Sequence, residues 1–119
     1  MNAGIHIKQR AIVLVLFPYS DLSDTKKRPV LVISNDRFNS RNDDVICCLI
    51  TSNPKDVQHG VYISKRDMEA GFLEFDSKIK PYRLFSVNKS IIYKTLGILS
   101  VEKSKEAVSE LGRVVDIQT

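Results

Sequence analysis

At 119 residues the chain has room for about one domain, with 43% hydrophobic and 27% charged residues, the balance of a packed globular fold rather than a disordered segment. Its net charge of +4 favours polyanions such as nucleic acid without identifying one. A division into two core-bearing halves is excluded by size, so a single domain over residues 1–119 is expected to carry one site.

The first element is Ala11 to Phe17, a nearly continuous apolar run rich in branched side chains. It reads as a strand buried on both faces or at the heart of a small barrel. Pro18 ends it. From Tyr19 to Lys27 the chain turns polar, with Ser20, Asp21, Ser23 and Asp24 supplying turn chemistry, and Lys26, Lys27 and Arg28 then follow as three cations in a row. A second strand, Pro29 to Ser34, begins with proline, which a strand tolerates at its first residue. After a polar excursion from Asn35 to Asp44, Val45 to Ile50 reads as a third strand closed by Thr51, Ser52, Asn53 and Pro54.

Further strands are predicted at Gly60 to Ser64, Leu73 to Ser77, Arg83 to Val87 and Thr95 to Ile98. Short strands with this punctuation indicate an all-β barrel or sandwich. At the C-terminus Val101, Ala107, Val108, Leu111, Val114 and Val115 fall on one helical stripe behind Ser100 as N-cap, predicting a helix over Val101 to Val115 docked on the β structure.

The only cysteines, Cys47 and Cys48, are neighbours whose side chains point to opposite faces of a strand, so they are read as reduced, buried small hydrophobes. The run from Ala11 to Phe17 is too short to cross a bilayer, and the N-terminus lacks the pattern of a signal peptide; a reducing cytoplasm is the expected location. His6 and His59 belong to no metal-ligand cluster, and neither a phosphate loop nor a nucleophile elbow is present. No metal and no cofactor is expected. Between Lys78 and Lys94 five cations (Lys78, Lys80, Arg83, Lys89, Lys94) occur with no acid, a pattern that fits either a solvated surface or a polyanion contact.

The segment Ile12 to Ser34, IVLVLFPYSDLSDTKKRPVLVIS, resembles the N-terminal signature of the MazF/PemK toxins: apolar strand, Phe-Pro, polar loop, Arg-Pro, second strand. The resemblance continues in order through Ile50-Thr51-Ser52, a GxxxxD-S-like element at Gly71 to Ser77 and Leu96-Gly97 before a terminal helix. It implies a mainly β, SH3-like barrel with a C-terminal helix, a cytoplasmic homodimer that cuts single-stranded RNA at short motifs without metal and is silenced by a cognate antitoxin. The site residues it implies are Arg28 and Thr51.

Metal-free cleavage requires a ribose 2′-OH to attack its own phosphate, so charge on phosphorus must be stabilised and two protons managed. Arg28 offers a planar fork for phosphate oxygens and Thr51 a hydroxyl donor. Arg28 holds its proton too tightly to be the general acid, which stays unassigned. Without the resemblance, Arg28 is a surface cation and Thr51 a turn residue at a strand end. Asp76 is read either as a general base or as a turn carboxylate interacting with Ser77. One branch of the family has an Arg-x-Asp pair there; this chain has Glu74, Phe75 and Asp76, shifting the burden to Arg28.

Phe17 and Tyr19 are candidates to stack on unpaired bases, with barrel core and partly buried surface as the alternatives. Lys27 is a candidate phosphate contact, and Ser52, Ser77 and Lys78 further RNA contacts by position. Many family members begin the first strand with Gly-Asp or Gly-Glu, where this chain has Arg10-Ala11. A competing reading is a non-catalytic barrel that binds nucleic acid or a protein such as gyrase.

Overall fold

A computed structural model describes residues 6–17, 26–53, 55 and 58–119. The apolar run Ala11–Phe17 forms β1, hydrogen-bonded to a strand on each side. Its residues therefore meet a core on both faces: Ala11, Val13 and Val15 enter one hydrophobic cluster and Ile12 the other. The remaining elements are β2 (Lys26–Val32), α1 (Asp36–Arg41), β3 (Asp44–Thr51), β4 (Val61–Ile63), β5 (Met68–Gly71), β6 (Ser77–Asn88), β7 (Ile92–Leu99) and α2 (Val101–Val115). All strands join one antiparallel sheet in the order β4-β6-β3-β2-β1-β7-β5.

The connection between the two edge strands curls this sheet. β4 and β5 stand at opposite ends of the strand order, yet Ile63 and Met68 are only five residues apart in the chain. Those five steps span at most about 18 Å, whereas six strand spacings laid flat would span about 29 Å. The edges must approach each other, and the sheet becomes the expected SH3-like half-barrel. β6 supplies part of the bend: its pairing with β3 jumps from Cys48↔Leu84 to Leu49↔Lys80, leaving Pro81, Tyr82 and Arg83 as a bulge.

Cys47 and Cys48 point into opposite clusters, as the strand period requires. Burial pushes both thiols up to about 12, with the charge of Cys47 adding to the shift at Cys48.

Several expected boundaries shift. The second strand starts at Lys26 rather than Pro29 and ends at Val32. Only Ser77 of the strand expected at Leu73 to Ser77 is in a strand, because the chain pairs earlier, at Met68–Gly71, where Gly71 meets Gly97 backbone to backbone. The polar stretch Asn35 to Asp44 hides α1, too short to show a periodic stripe. Asn35 caps it by accepting from the Phe38 N–H at 2.9 Å. Inside it the amide of buried Asn39 donates to the carbonyls of Ile7 and Ser34, 3.0 Å each.

Helix α2 runs over the expected span, capped by Ser100 accepting from the Lys103 N–H at 3.1 Å. Its docking differs from expectation. Ala107 is its only buried residue, while Val101, Val108, Val114 and Val115 of the apolar stripe stay exposed.

Candidate functional site

The register of the sheet assembles the site. β2 pairs with β3 through Val30↔Leu49, Leu31↔Cys48 and Val32↔Cys47. Pro29 has no N–H to continue that ladder, but the same register carried two positions further sets Arg28 opposite Thr51. Thr51 pairs directly with Lys78 on β6, and Lys78 with Tyr62 on β4. Directly opposed residues of antiparallel strands share a face. Arg28, Thr51, Lys78 and Tyr62 thus form a lateral row across four strands. One row inward lie Val30, Leu49 and Lys80, so a packed apolar floor adjoins the row and Lys80 adds a third cation beside Arg28 and Lys78.

Each side chain in the row is held differently. Arg28 is exposed and, among the described residues, enters no hydrogen bond or ion pair, leaving its guanidinium fork open to a ligand. Its backbone is fixed by pairing with Val15 on β1. Thr51 is half-buried, and its Oγ1 accepts from the Asn53 N–H at 3.1 Å, so its own hydroxyl proton remains to be donated. Asn53 Oδ1 in turn accepts from the Lys55 N–H at 3.0 Å, and Lys78 Nζ donates to the Lys55 carbonyl at 3.2 Å. These bonds tie the segment after β3 to the row.

Asp76 stands just before β6, in irregular chain rather than on the strand where sequence reasoning put it. Its Oδ2 accepts from the Tyr62 hydroxyl at 2.9 Å. That bond is the main reason the Tyr62 phenol is raised above its ordinary pKa. Asp76 is thereby turned towards β4, and β6, which it directly precedes, is two strands from β2, about 10 Å at the usual spacing. The structure does not bring Asp76 beside Arg28.

The other expected contacts divide. Lys27 alternates to the face opposite Arg28, where its ammonium lies 3.8 Å from the ring centre of Tyr93. Ser52 is exposed directly after Thr51. Ser77 is buried and its hydroxyl donates to the Phe75 carbonyl at 2.8 Å, so it is withdrawn from the row. Phe17 ends β1 opposite Lys26, and Tyr19 lies outside the described residues. Tyr62 was missed by sequence reasoning, whereas Lys80 was named only as one of a run of cations. The signal for Tyr62 was the alternation Val61-Tyr62-Ile63, which turns an aromatic outward between two core residues.

At the entrance to β1, Arg10 occupies the left-handed region at φ 76°, a conformation that suits glycine. Its side chain holds the turn, donating from Nη1 to the Leu99 carbonyl at 2.7 Å and to Glu69 at 3.1 Å. The departure Arg10-Ala11 therefore keeps a turn that is suited to glycine. Among the described residues no three His, Cys, Asp or Glu side chains converge into a potential metal-ligand group.

Residues 8–115 match the family model described as PemK-like, MazF-like toxin of type II toxin-antitoxin system. No curated protein sequence matches the chain. Among solved structures, a MazE-MazF complex from Deinococcus radiodurans (form III) superposes with a TM-score of 0.78 at 17% identity, covering 96% of this chain and 100% of the other. An endoribonuclease from a Mycobacterial species gives 0.75 at 12% identity, covering 97% and 96%. An endoribonuclease in complex with its cognate antitoxin, also from a Mycobacterial species, gives 0.73 at 16%, covering 100% and 99%. At these identities the likeness establishes the fold.

Proposed function

Since the chain belongs to the PemK-like, MazF-like toxin family of type II toxin-antitoxin systems, we propose that it is a metal-independent, sequence-specific endoribonuclease acting on single-stranded RNA. The observation that carries this reading is the open Arg28 guanidinium set by register opposite the Thr51 hydroxyl, on a face whose further cations are Lys78 and Lys80. A phosphodiester lying across β2 and β3 meets a planar fork of donors from Arg28 and one O–H donor from Thr51. Both stabilise the charge that builds on the non-bridging oxygens as the 2′-OH attacks phosphorus and the 5′-oxygen leaves. The carbonyl and amide bonds that fix Lys55 and Asn53 keep Thr51 in place without reorganisation during the step.

Asp76 acts on the same RNA from the β4 end. Its bond to Tyr62 and its distance from Arg28 fit a carboxylate that holds a neighbouring nucleotide better than one that takes the 2′-OH proton. Ser52 contributes a contact to the RNA backbone from the end of β3, Lys27 is directed to the opposite face and Tyr93, and Phe17 and Tyr19 flank the β1–β2 connection in sequence.

The working form is a homodimer, also controlled by an antitoxin. Support comes from the exposed apolar residues Val101 and Val108 on α2, which line a groove of about 580 Å³ together with Leu31, Val32 and Ile33 and which an unpartnered domain would leave in water. The +4 charge fits an acidic inhibitor segment that covers the RNA face. Among the described residues no helix is long and apolar enough to cross a membrane. Cytoplasmic RNA is the substrate this proposal names.

The test is cleavage of a long single-stranded RNA in EDTA with an Arg28→Ala control. Discrete cuts by the wild type alone support the reading. RNA that is bound but left intact by the wild-type protein would favour a non-cleaving binding module, a reading supported by the absence of an arginine at Glu74 and by the separation of Asp76 from Arg28.

A further inference from the structure

Where the row ends at the β4 edge, the surface opens into a cleft of about 600 Å³ lined by Tyr62, Ser64, Lys65, Arg66, Asp76 and Lys103, a volume within the range of small-ligand sites. The cleft has three features of a nucleotide site. An aromatic wall comes first: Tyr62, on an edge strand, is 51% exposed and lines the cleft. A large aromatic ring left this open costs hydrophobic burial that the fold has not recovered, and it presents a flat face to stack on a base.

Cations are the second feature. Arg66, Lys65 and Lys103 line the cleft, whereas of its two carboxylates Asp67 is spent on the turn, accepting from the Ser64 N–H at 2.8 Å. Glu106 offsets Lys103 at 3.6 Å, and Lys65 lies 5.7 Å from the ring centre of Phe72. Arg66 is left as the group with a free bidentate fork among the described residues. The third feature is an oriented acceptor: Asp76, positioned by the Tyr62 hydroxyl, keeps lone pairs for the N–H groups of a base edge.

We propose that this cleft is a second nucleotide-binding subsite, in which Tyr62 stacks on an unpaired RNA base, Asp76 accepts from that base's edge and Arg66 pairs with its phosphate. The proposal rests on the RNA-cleaving reading above and extends it to a base outside the cleaved bond. Tyr62 is two strands from Thr51, about 10 Å along the row, so one RNA strand laid across the sheet reaches both. Selection of sequence then comes from the β4 edge, and charge stabilisation from Arg28.

The experiment measures binding of 2′-O-methyl RNA, which lacks the attacking hydroxyl, using mixed-sequence oligomers of 4 and 12 nucleotides, and cleavage of a long unmodified RNA. Tyr62→Leu should weaken binding of the 12-mer about ten-fold, as loss of one stacked base does, and raise KM with kcat retained. Tyr62→Phe, which keeps the ring, should bind within about two-fold of wild type, and Arg66→Gln should lower the salt dependence of binding by about one phosphate contact. Folding of each variant is checked by its thermal transition. Wild-type binding and cleavage with no loss in Tyr62→Leu or Arg66→Gln overturns the subsite alone. Failure of the wild type to bind either oligomer or to cut the long RNA overturns the functional reading as well.

Discussion

Thr51 on β3 is the direct cross-strand partner of Lys78 on β6, and the β2·β3 register, continued two positions past Val30↔Leu49, sets Arg28 on the other side of Thr51. This places a hydroxyl between two cations. Arg28 is exposed and supports no contact among the described residues, so Arg28→Ala should change stability by less than about 0.5 kcal/mol while lowering cleavage by about 10²–10³-fold, the effect of removing one transition-state donor. Arg28→Lys should recover little, because a point charge does not reproduce the planar fork. Single-turnover cleavage beside urea denaturation checks both halves; retained cleavage in Arg28→Ala sinks the assignment.

Asp76 separates two roles by kinetics. A general base lost in Asp76→Asn would collapse kcat and remove the acidic limb of its pH profile. Held at Tyr62 and two strands from Arg28, Asp76 should instead show a raised KM, kcat within about five-fold and an unchanged pH profile. Steady-state rates on one RNA across pH decide between them.

Arg10 combines backbone strain with side-chain support. A non-glycine residue in the left-handed region costs about 1–2 kcal/mol, and the bonds to Leu99 and Glu69 offset it. Arg10→Ala keeps the strain and loses the bonds, and should destabilise by about 1–3 kcal/mol. Arg10→Gly loses the bonds and the strain together, and should lie closer to wild type. Chemical denaturation of the two variants gives the order; Arg10→Gly falling below Arg10→Ala would contradict it.

Gly97 explains why two pieces of the sequence pattern belong together. Gly71 and Gly97 are partners in the β5·β7 ladder, and a Cβ on Gly97 would sit 2.3 Å from the Ala70 carbonyl oxygen and 3.0 Å from Gly71 Cα. Gly97→Ala should therefore cost about 3 kcal/mol or more, the upper end of overpacking, measured as a fall in the denaturation midpoint. The strand β1 and the helix span were legible in the sequence because each rests on local pattern, and Arg28 and Thr51 could be named as candidates because they stand in an ordered motif. β5 and the bulge at Pro81 were not, since they are fixed by pairings between distant residues. Nor was α1: its stabilising residue, Asn39, is polar and buried, the reverse of the pattern that marks a core. The partner of Asp76 was hidden for a related reason, because Tyr62 is brought to it only by the β4·β6 register.

The adjacent thiols give the fold a defined alkaline limit. In the unfolded chain Cys47 and Cys48 ionise near their ordinary value of 9.0, whereas burial holds both up to about 12 in the native state. Below pH 9 each thiol is protonated in both states and contributes no pH dependence. Above pH 9 the unfolded chain releases protons that the native state retains, so stability falls as pH rises, by about 1.4 kcal/mol per pH unit for each thiol. A Cys47→Ala/Cys48→Ala double variant loses some packing at every pH but should lose this slope. Urea denaturation of both proteins from pH 7 to 10.5 measures the difference, which should be flat below pH 9 and narrow above it. In the same buffers native wild-type protein should resist a thiol reagent until it unfolds; rapid labelling at pH 8 would show that the β3 thiols are not sealed between the two faces of the sheet.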